Sequence, residues 1–377
     1  MKNVLVAMSG GVDSSAAVLL LQEKQFQVSG CTLRLWDPSG RAWKNTDEAS
    51  DPAAVRDAGS VSASLGVNLE VLDQEDLFEK RVIEPFVKSY LSCRTPIPCI
   101  KCNRFMKFDS LIKYADKYGF DYVATGHYAR IGEDSDGKKT LLRGRDHKKD
   151  QSYFLFELNQ QLLSRLIFPV GESLKSEIRE LLESRKIHIA DKPESQEICF
   201  IPDGDYAGFI RSYCEQHKGP LSGEFANLDR EGPVLHRDGT RLGTHKGLYR
   251  YTIGQRKGLG IAHSQPLYVL ELNKKENSLI LGYKEDTFSR VLEASDVNWI
   301  SGDAPEMPLE AEVKIRSNHL RARCFVTPAT TQSGKAGIKV EFVKPQSAVT
   351  PGQAAVFYRG EQVLGGAWIE RGLPVEN

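Results

Sequence analysis

Residues 4–15 read Val-Leu-Val-Ala-Met-Ser-Gly-Gly-Val-Asp-Ser-Ser, and this stretch decides the fold. Val4 to Met8 is a short, uninterrupted apolar run, as expected of a parallel strand that is buried on both faces. Two glycines then permit a tight turn, and a helical pattern follows from Ser14 to about Lys24. A strand, a glycine turn and a helix in this order predict the first unit of an α/β domain.

The same alternation of strands and helices continues through the first ~200 residues. Further strands are predicted at 28–35, 67–72 and 122–125, and a helix over about 104–117 precedes the last of them. The pattern predicts a doubly wound parallel sheet. Sheets of this kind bind ligands beyond the carboxyl ends of their strands.

The composition of the sequence changes from about Gly219, where glycines and pairs of turn-forming residues become frequent. Short β-rich runs replace the helical patterns, which predicts small β domains with a barrel at the C-terminus. We therefore predict an α/β catalytic domain over 1–215, a small central β-rich domain over 216–295 and a C-terminal β-barrel over 296–377. The β-rich runs are 267–272, 278–281, 310–315, 336–342 and 354–357.

Charge and hydropathy limit the classes of function. The chain has 377 residues and a formal net charge of zero, which excludes a strong global attraction to nucleic acid but not a local basic face. Lys and Arg are dense over 143–149 and 314–323, although a solvated surface explains either run taken alone. No apolar run approaches the ~20 residues that span a bilayer, so we expect a cytoplasmic protein with no membrane partner.

The glycine turn after the first strand is a candidate nucleotide site. A helix N-terminus offers unpaired backbone N–H groups and a positive dipole end to an anion, and Ser14 and Ser15 add hydroxyl donors. No lysine follows Gly11, so this is not the phosphate loop that ends in Gly-Lys-Ser/Thr. A plain helix cap is the alternative, but the position directly after a buried strand favours ATP.

A second cluster, Ala124 to Ala129, follows the fourth predicted strand and faces the same crevice. Gly126 would let the backbone pass close to adenosine. A lone histidine is usually structural, but His127 lies beside the predicted phosphate loop, which favours a functional role.

The seven cysteines do not suggest a disulfide framework. Cys99 and Cys102 have the spacing of metal ligands, but a structural zinc site usually needs a second such pair, which the sequence lacks, so we predict no metal ligands here. We predict that a helix begins after Asn103, which would lower the pKa of Cys102 and make it a thiolate. Cys199 has apolar neighbours and, taken alone, would be a buried core cysteine.

In combination, these segments resemble those of bacterial and organellar tRNA 2-thiouridylases, in the same order and over nearly the whole chain. The segments are Ser9–Ser15, Cys102–Asn103, Thr125–Ala129, Asp150–Leu155, Ser195–Phe200, Tyr251–Gly260 and Thr350–Ala354. The resemblance implies an N-terminal ATP-pyrophosphatase (PP-loop) domain, a central tRNA-binding domain and a C-terminal β-barrel. It implies a reaction in which ATP adenylates the C2 oxygen of the wobble uridine, sulfur replaces that oxygen, and AMP and pyrophosphate are released.

The resemblance also implies roles for single residues. Cys199 would receive sulfur as a persulfide, and Cys102 would attack it, forming a Cys102–Cys199 disulfide or freeing hydrosulfide. Asp13 would help to position Mg²⁺ around the pyrophosphate. The residues implied at the ATP site are Ala7, Met8, Ser9, Gly10, Gly11, Val12, Asp13, Ser14, Leu33 and Gly126. Those implied at the tRNA are Ile97, Pro98, Cys99, His127, Lys149, Asp150, Gln151, Arg316, Ser317 and Gln353.

Two of these positions depart from the family pattern. Ile97 stands where asparagine is usual, which removes a polar contact to the base, and Ser317 stands where tyrosine is common, which weakens stacking on RNA. The implied partners are tRNAs, those for Lys, Glu and Gln, and a persulfide-donating sulfur carrier or cysteine desulfurase. We expect both reactive cysteines on mobile loops at the mouth of the ATP crevice.

Three alternatives stay open from the sequence. An amide-forming adenylating synthetase would use the same ATP loop without paired cysteines, and a non-catalytic RNA-binding or sulfur-carrier module would not bind ATP. In the third, Cys99, Cys102 and Cys199 hold an iron–sulfur cluster that delivers sulfide.

Overall fold

The structure is a computed structural model that describes residues 1–36, 53–187, 198–217 and 228–375. Residues 195–197 of the predicted cysteine motif lie outside these ranges. Among the described residues, no helix has the length and apolar character needed to cross a membrane.

The strands are distributed along the whole chain. In order they are β1 (Asn3–Ala7), β2 (Gln27–Arg34), β3 (Leu69–Asp73), β4 (Tyr122–Ala124), β5 (Ala129–Glu133), β6 (Lys139–Arg143), β7 (Leu166–Ile167), β8 (Glu231–His236), β9 (Arg241–Lys246), β10 (Tyr268–Asn273), β11 (Ser278–Gly282), β12 (Phe288–Trp299), β13 (Leu309–Lys314), β14 (Ala322–Thr330), β15 (Ala336–Ser347), β16 (Ala354–Arg359) and β17 (Gln362–Pro374).

The described α-helices lie in the first part of the chain. They are α1 (Val12–Glu23), α2 (Ala53–Ser64), α3 (Glu75–Phe78), α4 (Glu84–Leu91), α5 (Pro98–Lys101), α6 (Leu111–Tyr118), α7 (Gln160–Leu163), α8 (Lys175–Ser184) and α9 (Tyr206–Gln216). Two π-helical segments join neighbouring helices, Glu79–Ile83 between α3 and α4 and Cys102–Ser110 between α5 and α6.

A five-stranded parallel sheet, in the order β3-β2-β1-β4-β7, confirms the predicted α/β domain. Val4, Leu5 and Val6 of β1 are fully buried, as the uninterrupted apolar run predicts. After β3 the chain crosses to the other side of β1 to form β4, so the strand order reverses at β1. The loops that follow β1 and β4 therefore border the crevice where such sheets bind ligands.

The helix that carries Cys102 begins earlier than predicted. The prediction of a helix starting after Asn103 is wrong, because helical structure runs from Pro98 through the π-helical segment to Tyr118. Proline is favoured in the first turn of a helix, where its missing N–H has no intrahelical partner to lose. Cys102 consequently lies inside the helix.

Six antiparallel strands close the C-terminal barrel, in the order β12-β15-β14-β13-β16-β17 with β12 paired to β17. Strand β12 crosses position 295, where the sequence predicts a domain boundary. The hairpin β5–β6 from the first domain adds to the outside of β17, where Leu141 and Leu142 pair with Val363 and Gln362. This hairpin, which the sequence patterns do not predict, joins the α/β domain to the barrel.

The central domain is a four-stranded sheet in the order β10-β11-β8-β9. Its small core contains Val234, Val269 and Leu281, all at most 1% exposed. This sheet lies in sequence between the α/β domain and the barrel, as predicted for the β-rich region.

Candidate functional site

The loop between β1 and α1 is built so that only glycine fits at position 10. Gly10 has a φ of +65°, and a Cβ there would lie 2.6 Å from both the Asp57 Cβ and the Ala58 N. Gly11 caps the N-terminus of α1, and the hydroxyls of Ser14 and Ser15 donate to its carbonyl oxygen at 3.1 and 2.8 Å. The loop therefore leads into a helix N-terminus at the crevice, where an anion is favoured.

The other residues implied at the ATP site line the same part of the sheet. Ala7 ends β1, and Met8 and Val12 are buried on either side of the glycine turn. Leu33 lies near the carboxyl end of β2, the neighbour of β1, and is partly buried. Their contact with ATP stays a prediction.

Asp13 is held by two residues that the sequence analysis did not single out. Its Oδ1 accepts hydrogen bonds from the Tyr128 hydroxyl at 2.8 Å and from the Lys175 ammonium at 2.6 Å. Lys175 is the first residue of α8 and only 8% exposed. A positive charge at the N-terminus of a helix interacts unfavourably with the helix dipole. A lysine at the predicted start of a helix is therefore unusual, and this feature of the sequence could have identified Lys175.

Gly126, after β4, packs directly on the start of α1. A Cβ at this position would lie 2.7 Å from the Asp13 carbonyl carbon and 2.8 Å from the Ser14 N. Close backbone approach is therefore the immediate reason for glycine here, and a contact with adenosine stays a prediction.

His127 connects the strand-end loop to the helix that carries Cys102. Its Nδ1 lies 2.7 Å from the Thr125 hydroxyl and its Nε2 lies 3.2 Å from the Asn103 Oδ1. The Asn103 amide donates to the Phe154 carbonyl, so Oδ1 is the acceptor and His127 Nε2 carries the proton. Burial lowers the pKa of His127 well below its usual value and keeps the ring neutral.

The contact of His127 with tRNA stays a prediction. The side chain is 6% exposed, and both ring nitrogens are bonded within the protein. In this conformation His127 positions Asn103, the neighbour of Cys102, relative to the glycine loop.

Cys102 is a buried thiol rather than a thiolate. It is 8% exposed and packs in an apolar cluster with Phe86 and Met106. Burial raises the pKa of Cys102 to about 12, so the predicted lowering at a helix N-terminus is wrong because desolvation of the anion dominates. Its position inside a helix also corrects the expectation that it lies on a mobile loop.

Cys99 and Cys199 lie close to Cys102, although Cys199 is ~100 residues away in sequence. Each of these two thiols acts electrostatically on Cys102, and all three cysteines are free. Cys199 is an exposed residue in a turn, and the next residue, Phe200, packs into the cluster of Cys102 against Phe86. Desolvation raises the pKa of Cys99 and of Cys199 above the usual value.

The cysteines do not form a metal site in this conformation. Within the described ranges, no three His, Cys, Asp or Glu side chains are arranged to hold a metal ion. An iron–sulfur cluster held by Cys99, Cys102 and Cys199 stays an alternative that these free thiols do not test.

The predicted tRNA segment 149–151 is partly internal. The Asp150 side chain is 3% exposed; it pairs with Arg143 at 3.0 Å and accepts backbone hydrogen bonds from Gly144 and Ser152. Gln151 accepts a hydrogen bond from the Tyr128 backbone N–H, and Lys149 is half-buried. Asp150 and Gln151 thus fix the loop, and the contact of this segment with tRNA stays a prediction.

Other predicted tRNA residues line two cavities where the domains meet. Ile97 and Pro98 border a cavity of about 510 Å³ together with Lys101 and Trp368. Cys99, the residue after Pro98, is exposed to solvent. Arg316 and Gln353 border a second cavity of about 440 Å³, which the central domain also lines. Ser317, next to Arg316, is half-buried.

Gln353 joins the barrel to the loop before Cys99. Its side-chain amide donates to the Thr95 carbonyl oxygen at 2.9 Å, and the Thr95 N–H donates to the Pro351 carbonyl oxygen at 2.9 Å. The tertiary structure thus brings the motif 350–354 to the segment 95–99.

The two basic runs also meet in the fold. Lys314, at the end of β13, interacts electrostatically with Arg143, Asp150 and Arg321. The addition of the β5–β6 hairpin to β17 accounts for this proximity. The two basic runs are therefore neighbours between the α/β domain and the barrel, where Arg143 pairs with Asp150 and Arg321 pairs with Glu312.

Comparisons with known proteins cover the whole chain. Residues 2–203 match the tRNA methyl transferase HUP domain family, 224–283 the tRNA methyl transferase PRC-barrel domain family, and 289–369 the aminomethyltransferase beta-barrel domain family. The tRNA-specific 2-thiouridylase MnmA of Syntrophotalea carbinolica is 46% identical over 98% of this chain and 98% of its own. The proteins of that name from Carboxydothermus hydrogenoformans and Geobacter metallireducens are 45% and 43% identical, each over 99% of this chain and 98% of its own. The chain belongs to the tRNA-specific 2-thiouridylase family.

Proposed function

We propose that this protein uses ATP to activate the wobble uridine of tRNA and replaces its C2 oxygen with sulfur carried on Cys199. The observation that carries the proposal is the series of contacts between the glycine loop and the cysteines. Gly126 packs on Asp13 and Ser14, and the adjacent His127 bonds Asn103, which follows Cys102. These contacts support a reaction in which the glycine loop activates the oxygen and the adjacent cysteines deliver the sulfur.

The uridine needs activation because its C2 carbonyl is a poor electrophile and oxide does not leave. Adenylation of the oxygen makes AMP the leaving group and releases pyrophosphate. The N-terminus of α1 can receive phosphate oxygens, and Lys175 supplies a cation beside it. Asp13 has the carboxylate that Mg²⁺ prefers, and a bound Mg²⁺ would neutralise charge on the phosphates.

The sulfur transfer uses the two cysteines in sequence. The persulfide on Cys199 is attacked at its Sγ by the Cys102 thiolate, so a Cys102–Cys199 disulfide forms and the S–S bond of the persulfide breaks. The electron pair leaves with the terminal sulfur, either as hydrosulfide that attacks C2 or as the sulfur already bonded to C2. AMP leaves with the original oxygen, and an external thiol reduces the disulfide after each turnover.

The tRNA is recognised through the anticodon region. A single-stranded loop can present an unstacked base, and the wobble base must leave the stack to reach the crevice. Lys314 and the cavities lined by Ile97 and by Arg316 support a tRNA path between the α/β domain and the barrel. We place the reaction in the cytoplasm, where tRNA and ATP are available.

The test measures 2-thiouridine in tRNA by nucleoside mass spectrometry after incubation with ATP, Mg²⁺ and a persulfide donor. Cys199→Ser should abolish thiolation and retain adenylation. Cys102→Ser should abolish turnover and leave one added sulfur on Cys199, visible as an intact-mass increase. Cys93→Ser is the matched control, because Cys93 lies in a different apolar cluster from Cys102 and should be dispensable.

Four outcomes would contradict the proposal. Thiolation by Cys199→Ser, or sulfur found on Cys102 instead of Cys199, would remove the assigned roles. Pyrophosphate release that does not require tRNA would favour an adenylating synthetase, and failure to bind ATP would favour a non-catalytic module.

A further inference from the structure

The buried state of Cys102 presents a chemical difficulty for sulfur transfer. The thiolate is the nucleophile in thiol exchange, yet burial raises the pKa of this thiol to about 12. At neutral pH the resting thiol is therefore protonated. A positive charge near the sulfur would lower the free energy of the anion.

The π-helical segment places a lysine on the same side of the helix as Cys102. In an α-helix, residues five apart differ by about 140° around the axis, because each residue turns by about 100°. In a π-helix the hydrogen bonds join residues five apart, so Lys107 lies about one turn from Cys102 on the same face. Short π-helical segments of this kind are frequent at functional sites.

The positive charge of Lys107 acts electrostatically on the thiols of Cys99, Cys102 and Cys199. It lowers the pKa of Cys99, of Cys102 and of Cys199, against the larger opposing effect of burial. It also disfavours the charged form of His127, which stays neutral and adds no positive charge of its own. Lys107 is thus close enough to act electrostatically on each of the three thiols.

Other cations of the same helix already have partners. Lys101 pairs with Glu157 at 2.6 Å, and Arg104 pairs with Asp109 at 2.6 Å. Lys107 is half-buried, and no side chain in the described part of the chain forms a hydrogen bond or ion pair with it. A half-buried ammonium without a carboxylate partner favours an anion as its neighbour.

We propose that Lys107 stabilises the sulfur anions of the transfer, first the Cys102 thiolate and then the hydrosulfide or thiolated base that leaves Cys199. The inference rests on the proposed roles of the two cysteines and adds a residue to them. The bonds that form and break are those of the Cys102 attack on the Cys199 persulfide.

The experiment measures the alkylation rate of Cys102 by iodoacetamide between pH 7 and 10, with peptide mass spectrometry to resolve each cysteine. We expect Lys107→Met to slow alkylation at a fixed pH by about tenfold, the effect of one pKa unit. Lys107→Arg should stay within about twofold of the wild type, because it keeps the charge. Lys113→Met is the control, since Lys113 is an exposed cation further along the same helix.

A second readout follows the sulfur itself. With Cys199 preloaded as persulfide, Lys107→Met should release hydrosulfide more slowly while the KM for tRNA is unchanged. ATP binding and the far-ultraviolet circular dichroism spectrum, compared with the wild type, test whether the fold is intact. If the methionine variant misfolds, Lys107→Gln replaces it.

An unchanged pH profile of Cys102 alkylation in a folded Lys107→Met or Lys107→Gln variant would overturn the inference. An equal loss in Lys113→Met would also overturn it, because the effect would then be general electrostatics. Alkylation requires neither ATP nor sulfur. A wild type that never accumulates persulfide would contradict the proposed function and leave the alkylation result to decide the role of Lys107.

Discussion

Replacing Gly126 by alanine should disturb the glycine loop from the opposite side of the crevice. The new Cβ would lie 2.7 Å from the Asp13 carbonyl carbon and 2.8 Å from the Ser14 N, whereas ordinary contact begins at 3.4 Å. Both atoms are backbone in the first turn of α1, and Ala16, Ala17 and Val18 of that helix are fully buried. Neither partner can move away freely, and such overpacking costs about 1–3 kcal/mol.

We expect this strain to appear in ATP affinity, because the displaced atoms form the helix N-terminus of the proposed phosphate site. About 1.4 kcal/mol corresponds to a factor of ten, so a cost of about 1–3 kcal/mol should raise the Kd for ATP by roughly 5-fold to 140-fold. Titration calorimetry with ATP measures the Kd, and urea unfolding measures the stability.

The matched control is Gly59→Ala in α2. A Cβ at Gly59 meets nothing within 4 Å, so the same substitution should stabilise the helix by about 0.5–1 kcal/mol. If Gly126→Ala binds ATP as tightly as the wild type and unfolds at the same urea concentration, the close-approach argument is refuted.

Three further predictions concern Asp13, Cys102 and the tRNA surface. Lys175→Met should weaken ATP binding and lower the free energy of unfolding by about 1–3 kcal/mol. This loss is smaller than for a fully buried ion pair because the Asp13 side chain is 32% exposed. Unchanged ATP affinity and unchanged stability would contradict the pairing of Lys175 with Asp13. The alkylation rate of Cys102 should keep rising above pH 9, since burial raises its pKa to about 12 and the thiolate fraction grows tenfold per pH unit; a plateau near pH 8 would show a lowered pKa instead. Arg316→Ala should weaken tRNA binding and reduce the slope of log Kd against log salt by about 1, whereas Gln353→Ala should weaken binding without changing the slope. Equal slopes for the two variants would exclude a phosphate contact by the arginine.

Local patterns in the sequence were sufficient for the α/β domain and its glycine loop. An apolar run followed by Gly10 and Gly11 predicts a buried strand and a turn. Burial of both faces of a strand favours apolar residues, and a positive φ favours glycine. The strand and the turn thus depend on neighbours in the chain. Cys102 and Cys199 became a candidate pair only through the resemblance to tRNA 2-thiouridylases, because Cys199 taken alone would be a buried core cysteine.

Only the tertiary structure decided the electrostatic state of the site. The pairing of Asp13 with Lys175, 162 residues away, and the closeness of Cys199 to Cys102 depend on how the sheet and helices pack. The start of the helix at Pro98 and the apolar cluster around Cys102 together place this thiol in the interior. The sequence determined which ionisable groups are present, but burial and long-range contacts determine which of them carry a charge, because desolvation acts on the folded chain.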